Sequence, residues 1–171
     1  LRRARPGGLV IAFVRGTVVT VGAGSAVLDV SGVGYELLCT PRTLAELRIG
    51  HEATLAAAMV VREDSMTLFG FSDADERAVF DTLQSVSGVG PRLAQALLAA
   101  HTPDSLRIAI ATEDVKALTR VSGVGQKGAQ RLVLELKDKL GAPTGTLVDL
   151  TPGPLGGPAW QGPVHSALVG L

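Results

Sequence analysis

Two segments decide how this chain folds: SGVGPRLAQALL (Ser87–Leu98) and SGVGQKGAQRLVLEL (Ser122–Leu136). They begin thirty-five positions apart and align without a gap. Ala94 pairs with Ala129, Gln95 with Gln130 and Leu97 with Leu132; upstream, Leu83 pairs with Leu118. Each unit reads as helix, Gly-Val-Gly hairpin, helix. The second helix of each carries a predicted core stripe at helical spacing. It is Leu93, Ala96, Leu97 and Ala100 in the first unit, and Ala129, Leu132, Val133 and Leu136 in the second. A third VSGVG, at Val30–Gly34, has strand-like flanks, so its Gly32 and Gly34 are expected to serve a β-turn.

The hairpins suggest a chemistry. Gly88, Gly90, Gly123 and Gly125 tolerate positive φ and leave the backbone bare. Val89 and Val124 are placed to plug inward between helices. The amides that open the following helix have no intrahelical partner, and such amides bind phosphate. The helix dipole contributes only ~0.3–1 kcal/mol at an exposed site. A hydrogen bond to a charged group contributes ~1.5–3 kcal/mol. Hydrogen bonding therefore dominates, and no large net charge is needed. Arg92 and Lys127 stand two residues after each hairpin, where a cation reaches the same phosphate. Gln126, Gly128 and Arg131 complete the candidate set. The plainer alternative is a helical hairpin that uses glycine only for tight packing. Either way nothing here reads bases, because phosphate contacts position a protein without specifying sequence.

Composition narrows the class. Sixteen basic and sixteen acidic residues cancel over 171 positions, so a polyanion would be bound by local geometry rather than bulk charge. No apolar run reaches membrane-spanning length, and Arg15 interrupts the short apolar stretch near the start. A cytoplasmic protein is expected. The one cysteine, Cys39, lies in an apolar run and reads as a buried core thiol. His51, His101 and His165 are far apart, lack metal-ligand spacing and read as solvated. GVGQKGAQ (Gly123–Gln130) mimics a P-loop, but Ala129 and Gln130 replace the required Lys and Ser/Thr. No cofactor, metal or catalytic arrangement is expected.

Outward from the repeat, the period changes. From Val10 to Ser72 the runs FVRGTVVTV, AVLDV, VGYELLCT, EATLAAAMVV and SMTLFGF read as five short strands. A short helix from Pro41, stopped at Gly50, falls between the third and fourth. This predicts a Greek-key barrel of the OB type. Ser72 with Asp73 and Asp75 signals a helix start, and Thr102-Pro103 signals another. The fold class is thus α+β and multidomain. Residues 1–9 read as an extraneous extension, 10–72 as an OB-fold barrel and 73–141 as an all-α tandem helix-hairpin-helix unit. Residues 142–162, rich in Pro and Gly, read as a flexible linker, and 163–171 as a remnant of a further domain.

These motifs together resemble the RuvA family, which binds Holliday junctions in bacterial branch migration. VRGTV near the start, VSGVGYEL, VVREDSMTLFGF and the two hairpins carry the resemblance from about Val10 to Leu140. It implies a non-catalytic homotetramer, single or paired face to face as an octamer. Such an assembly holds four-way junction DNA open and square. It docks hexameric RuvB motors that hydrolyse ATP, and the RuvC resolvase is a further partner. The setting implied is DNA recombination, repair and the SOS response. Glu63 and Asp64, which by themselves read as a solvated hairpin tip, match the family's acidic pin. Carboxylates gathered at a junction centre repel phosphates there. Gln126 departs from a common Lys, Arg92 replaces another, and Gly128 stands where a larger residue is usual. The family also carries a C-terminal three-helix domain that contacts RuvB, of which only PVHSALVGL would remain. A chain so truncated is expected to tetramerise and bind junctions without productively engaging the motor. Two rivals stay open: an assembly scaffold without DNA, and a repair-nuclease subunit with Glu63 and Asp64 as metal ligands.

Overall fold

A computed structural model describes residues 10–142. Five strands form where β-branched residues alternate: β1 (Phe13–Val21), β2 (Ser25–Val30), β3 (Val33–Cys39), β4 (Glu52–Val61) and β5 (Met66–Phe71). They close into a barrel in the order β1-β2-β3-β5-β4, with β4 returning to pair β1. Only β3 and β5 run parallel. This is the expected OB-type closure. β1 partners β4 through its first half and β2 through its second, with a register slip between Val18 and Thr20. A slip of this kind bends the strand and lets it turn the corner. At Gly16 a Cβ would collide with the Asp29 carbonyl, so the VRGTV glycine permits the close approach of β1 and β2.

The barrel interior is filled by Val14, Val18, Leu28, Leu37, Leu55 and Ala57. Leu44 of α1 (Pro41–Glu46) joins this cluster. Thr40 caps α1, its hydroxyl accepting from the Thr43 amide. The helix is shorter than expected: Leu47 swings to extended backbone, and Gly50 (φ 84°) serves the turn into β4 instead. In the β2–β3 hairpin, Ser31 and Gly32 both take positive φ, the signature of a tight two-residue turn. Gly34 does not serve that turn; it lies in β3 opposite Asp29.

Five helices follow: α2 (Ala74–Leu83), α3 (Pro91–Ala100), α4 (Pro103–Ala111), α5 (Val115–Thr119) and α6 (Gln126–Leu136). Asp73, rather than Ser72, caps α2 by accepting from the Glu76 amide at 2.7 Å. Ser72 is diverted because the buried Glu76 carboxylate needs donors; it takes the Ser72 amide at 3.0 Å and hydroxyl at 2.9 Å. Thr102 and Pro103 open α4 as expected.

The barrel's outer face and the helices share a second core. β4 and β5 bury both faces: Ala57 points into the barrel, while Ala58, Phe69 and Phe71 point out beneath the helices. Phe80 of α2 packs against both, with ring centroids 5.0 Å from Phe69 and 4.8 Å from Phe71. The same cluster runs on through Leu97, Leu98, Leu106, Leu118 and Leu132. On α3 the buried face is Ala94, Leu97 and Leu98; the expected Ala100 is exposed, and Leu93 and Ala96 are only half-buried. The helix is turned toward α2 and the barrel rather than centred on the repeat's own axis. The α6 stripe is buried as expected.

Arginines tie the ends. Arg42 on α1 donates to the Leu98 carbonyl at 3.0 Å, fastening the end of α3 to the barrel side. Buried Arg107 on α4 donates to Asp75 at 2.9 and 2.6 Å, to Asp104 at 3.1 Å and to the Leu140 carbonyl at 3.0 Å. His101 is not simply solvated: its Nε2 lies 3.3 Å from the Ala117 carbonyl. His165, Trp160, the linker and the C-terminal remnant lie outside the described residues.

Two measurements test this packing. Phe80→Ala removes the ring between barrel and helices and should cost ~3–5 kcal/mol. Urea unfolding should then split into two transitions; a loss under ~1 kcal/mol would show that the aromatic cluster does not join the units. Cys39 is buried as expected, and burial pushes its thiol up to about 12. It should resist alkylation at pH 8 until the protein unfolds. The proton stays on the folded thiol while an unfolded one ionises, so stability falls as pH rises from 9 toward 12.

Candidate nucleic-acid interface

The two hairpins have matching backbone hydrogen bonds. Val86 N donates to Leu83 O and Val89 N to Val86 O, each at 3.1 Å. Val121 N donates to Leu118 O at 3.2 Å and Val124 N to Val121 O at 3.0 Å. In each Gly-Val-Gly, the first glycine bears the strain: φ is 85° at Gly88 and 93° at Gly123. The valine between turns inward, Val124 buried and Val89 half-buried against the core.

The second glycine does something different. Gly90 and Gly125 are extended, with φ −91° and −82°, a region open to any residue. Each is a helix N-cap with no side chain to satisfy the amides behind it. Ala94 and Ala129 amides donate back to the cap carbonyls at 3.0 and 2.9 Å. Before them, the amides of Arg92 and Leu93 in α3, and of Gln126, Lys127 and Gly128 in α6, have no protein partner among the described residues. Pro91 at the head of α3 has no N–H, so the first hairpin offers one donor fewer. A Cβ at Gly90 or Gly125 would meet nothing within 4 Å, so the space in front of both helices is open.

The hairpins stand side by side. Gly88, Val89 and Leu93 of the first and Gly123, Val124 and Gly128 of the second border one narrow cleft of about 90 Å³. Arg131 reaches across it, its Nη1 donating to the Ser87 carbonyl at 3.3 Å. It is exposed, and this bond ties the two hairpins together. Arg92, Gln126 and Lys127 are exposed and make no hydrogen bond or ion pair with their side chains among the described residues. The gap at Gly128 leaves the helix start intact, because α6 begins at Gln126.

Glu63 and Asp64 are elsewhere, at the exposed tip of the β4–β5 hairpin, where Arg62 N donates to Ser65 O at 2.8 Å. Among the described residues, no group of three His, Cys, Asp or Glu is placed to hold a metal ion. Likewise no helix is long and apolar enough to cross a membrane.

Barrel and hairpins define a class: a tandem helix-hairpin-helix protein docked on an OB barrel, with free amides suited to oxyanions. Residues 11–70 match the model of the RuvA N terminal domain, and residues 80–138 match the SAM-like helix-hairpin-helix tandem. A relative from Nocardioides sp. is 59% identical over 162 residues, covering 94% of this chain and 80% of its own length. One from Thermobifida fusca is 60% identical over 164 residues, covering 94% and 81%. One from Streptomyces coelicolor is 57% identical over 161 residues, covering 94% and 79%. All three are named Holliday junction branch migration complex subunit RuvA. The chain belongs to the RuvA family.

Free amides and stability can be separated by one pair of changes. Gly90→Asp and Gly125→Asp supply carboxylate caps at positions with ordinary backbone angles. An Asp cap is at least as good as Gly, by a few tenths of a kcal/mol. Thermal midpoints should hold or rise, while DNA affinity falls at least about tenfold as the amides are filled and phosphate is repelled. Unchanged affinity in a gel-shift titration would show that these amides do not bind DNA.

Proposed function

We propose that this protein binds four-way DNA junctions as a homotetramer, single or doubled, and holds them open for branch migration in recombination and repair. The observation that carries this reading is the pair of glycine-capped helix starts. They are exposed and locked side by side, and among the described residues their amides have no protein partner. Membership in a family whose named relatives are branch-migration subunits supports it. Phosphates would be held by the amides around Gly88–Arg92 and Gly123–Gly128, with Lys127 and Arg92 adding charge. Val89 and Val124 act from inside, by holding each turn's shape. Arg131 fixes the spacing of the two grips and adds positive charge beside them.

In this reading residues 10–72 form the tetramerising barrel and 73–141 the DNA-gripping unit. The chain performs no catalysis; an ATP-hydrolysing RuvB partner drives strand movement, RuvC cuts the junction afterwards, and the work is cytoplasmic. Glu63 and Asp64 serve as an acidic pin. Two carboxylates from each of four subunits would ring the crossover and repel phosphates that approach too closely. The same charges disfavour a continuous duplex, which must pass over the tip.

Glu63→Gln with Asp64→Asn should therefore narrow the preference for a four-way junction over linear duplex by at least about fivefold, mainly through tighter duplex binding. Wild-type preference retained in the double variant would remove the pin. Binding of both substrates should also weaken as salt rises.

A further inference from the structure

His101 lies outside both hairpins, yet it holds the chain that leads into the second. It is the C-cap of α3, with extended backbone (φ −127°, ψ 139°), and its amide donates to the Leu97 carbonyl at 2.9 Å. Its half-buried ring reaches α5, where Nε2 lies 3.3 Å from the Ala117 carbonyl. A carbonyl oxygen only accepts, so the ring nitrogen that faces it carries a proton. The neutral ring is thereby held as the Nε2–H tautomer.

The carbonyl it takes has a particular place in the chain. A helix of five residues cannot pair its last carbonyls internally. The end of α5 tightens instead: the Val121 amide donates to Leu118, three residues back, at 3.2 Å, and passes over Ala117. His101 supplies the donor that one more α-helical turn would have given. The next carbonyl along, that of Leu118, is the one on which the second hairpin closes.

The end of α3 is held from the barrel side as well. Nη2 of Arg42 donates to the Leu98 carbonyl at 3.0 Å and to the His101 carbonyl at 3.4 Å. The barrel thus fastens α3, and α3 fastens α5 through His101. Arg131 and Ser87 tie the two hairpins at one point, and His101 and Ala117 tie the two repeats at another. A single tie fixes a spacing and leaves a hinge. Two ties at separate points also fix the tilt.

We propose that His101 is a positioning residue for DNA binding, which sets the tilt of the second hairpin against the first so that both rows of helix-start amides meet phosphates together. It touches no DNA itself. The proposal rests on the junction-binding reading above and adds to it the group that aligns the two grips. An aligned pair binds without first losing the freedom of a hinge.

The test uses the full chain with His101→Leu and His101→Gln, against a four-way junction and a linear duplex across a salt series. Readings are taken well below every variant's thermal midpoint, where lower stability alone leaves affinity unchanged. His101→Leu should weaken binding of both DNAs about fivefold, the loss of one hydrogen bond's worth of alignment. The slope of log affinity against log salt should stay at the wild-type value, because no cation is removed. Amide NMR signals of Gly123 and Gly125 should shift in this variant while those of Gly88 and Gly90 hold. The Gln amide nitrogen reaches about as far as Nε2, so His101→Gln should recover most of the affinity. If the Leu variant does not fold, His101→Asn takes its place, since its shorter amide falls short of Ala117. In the wild-type chain at pH 8, proton–nitrogen correlation of the imidazole should show the proton on Nε2. Wild-type affinity in His101→Leu, no recovery with Gln, a shallower salt slope, or a proton on Nδ1 would each overturn the proposal. Wild-type binding reads the underlying function separately: if the chain does not bind junctions both ideas fall, and if it binds while ignoring His101 only this one does.

Discussion

Phe80 seated between Phe69 and Phe71 is the contact on which the rest depends. It makes the outer face of β4 and β5 part of the helical core, so the barrel and the hairpins are not free to swivel. The two features the proposed function uses, the carboxylate tip and the bare helix starts, belong to different elements. Their separation is set by that aromatic join, with Arg42 fastening the far end of α3. Rigid placement matters because binding then loses little conformational entropy. A DNA shape can be recognised only by a surface whose own shape is fixed.

The second constraint is electrostatic and local. A chain with balanced charge cannot hold DNA by its overall field. Instead it leaves two helices without side-chain caps, forgoing a small stabilisation in each, and presents the unpaired donors outward. Exposed cations, Lys127 and Arg92, stand at the helix starts, and carboxylates occupy the hairpin tip. Such a pattern discriminates by where charge lies rather than by how much there is.

Much of this was readable from residues. The thirty-five-residue repeat gave both hairpins, and the β-branched runs marked five strands. Cys39 read as a core thiol and is one. The departures have physical causes. Gly34 resembles a turn glycine, but the turn closes with Ser31 and Gly32, and β3 has already begun. Ser72 resembles a cap, but the buried Glu76 carboxylate claims it. Arg131 stays exposed beside the helix start, and its bond to the neighbouring hairpin is an added contact that the local sequence does not announce. In the α3 stripe, periodicity fixed the spacing of buried positions and left the phase wrong by about one residue.

By itself the sequence determined what is local: which segments alternate, where glycine must relieve the backbone, which helix starts lack a cap. Those follow from interactions within a few residues. Only the tertiary structure decided which face each helix buries, and that the two hairpins lock through Arg131 and Ser87. Arg131 and Ser87 are 44 residues apart, and nothing in either neighbourhood encodes the other. They are brought together because Val89 and Leu93 of one hairpin pack against the same core as Val124 and Leu132 of the other.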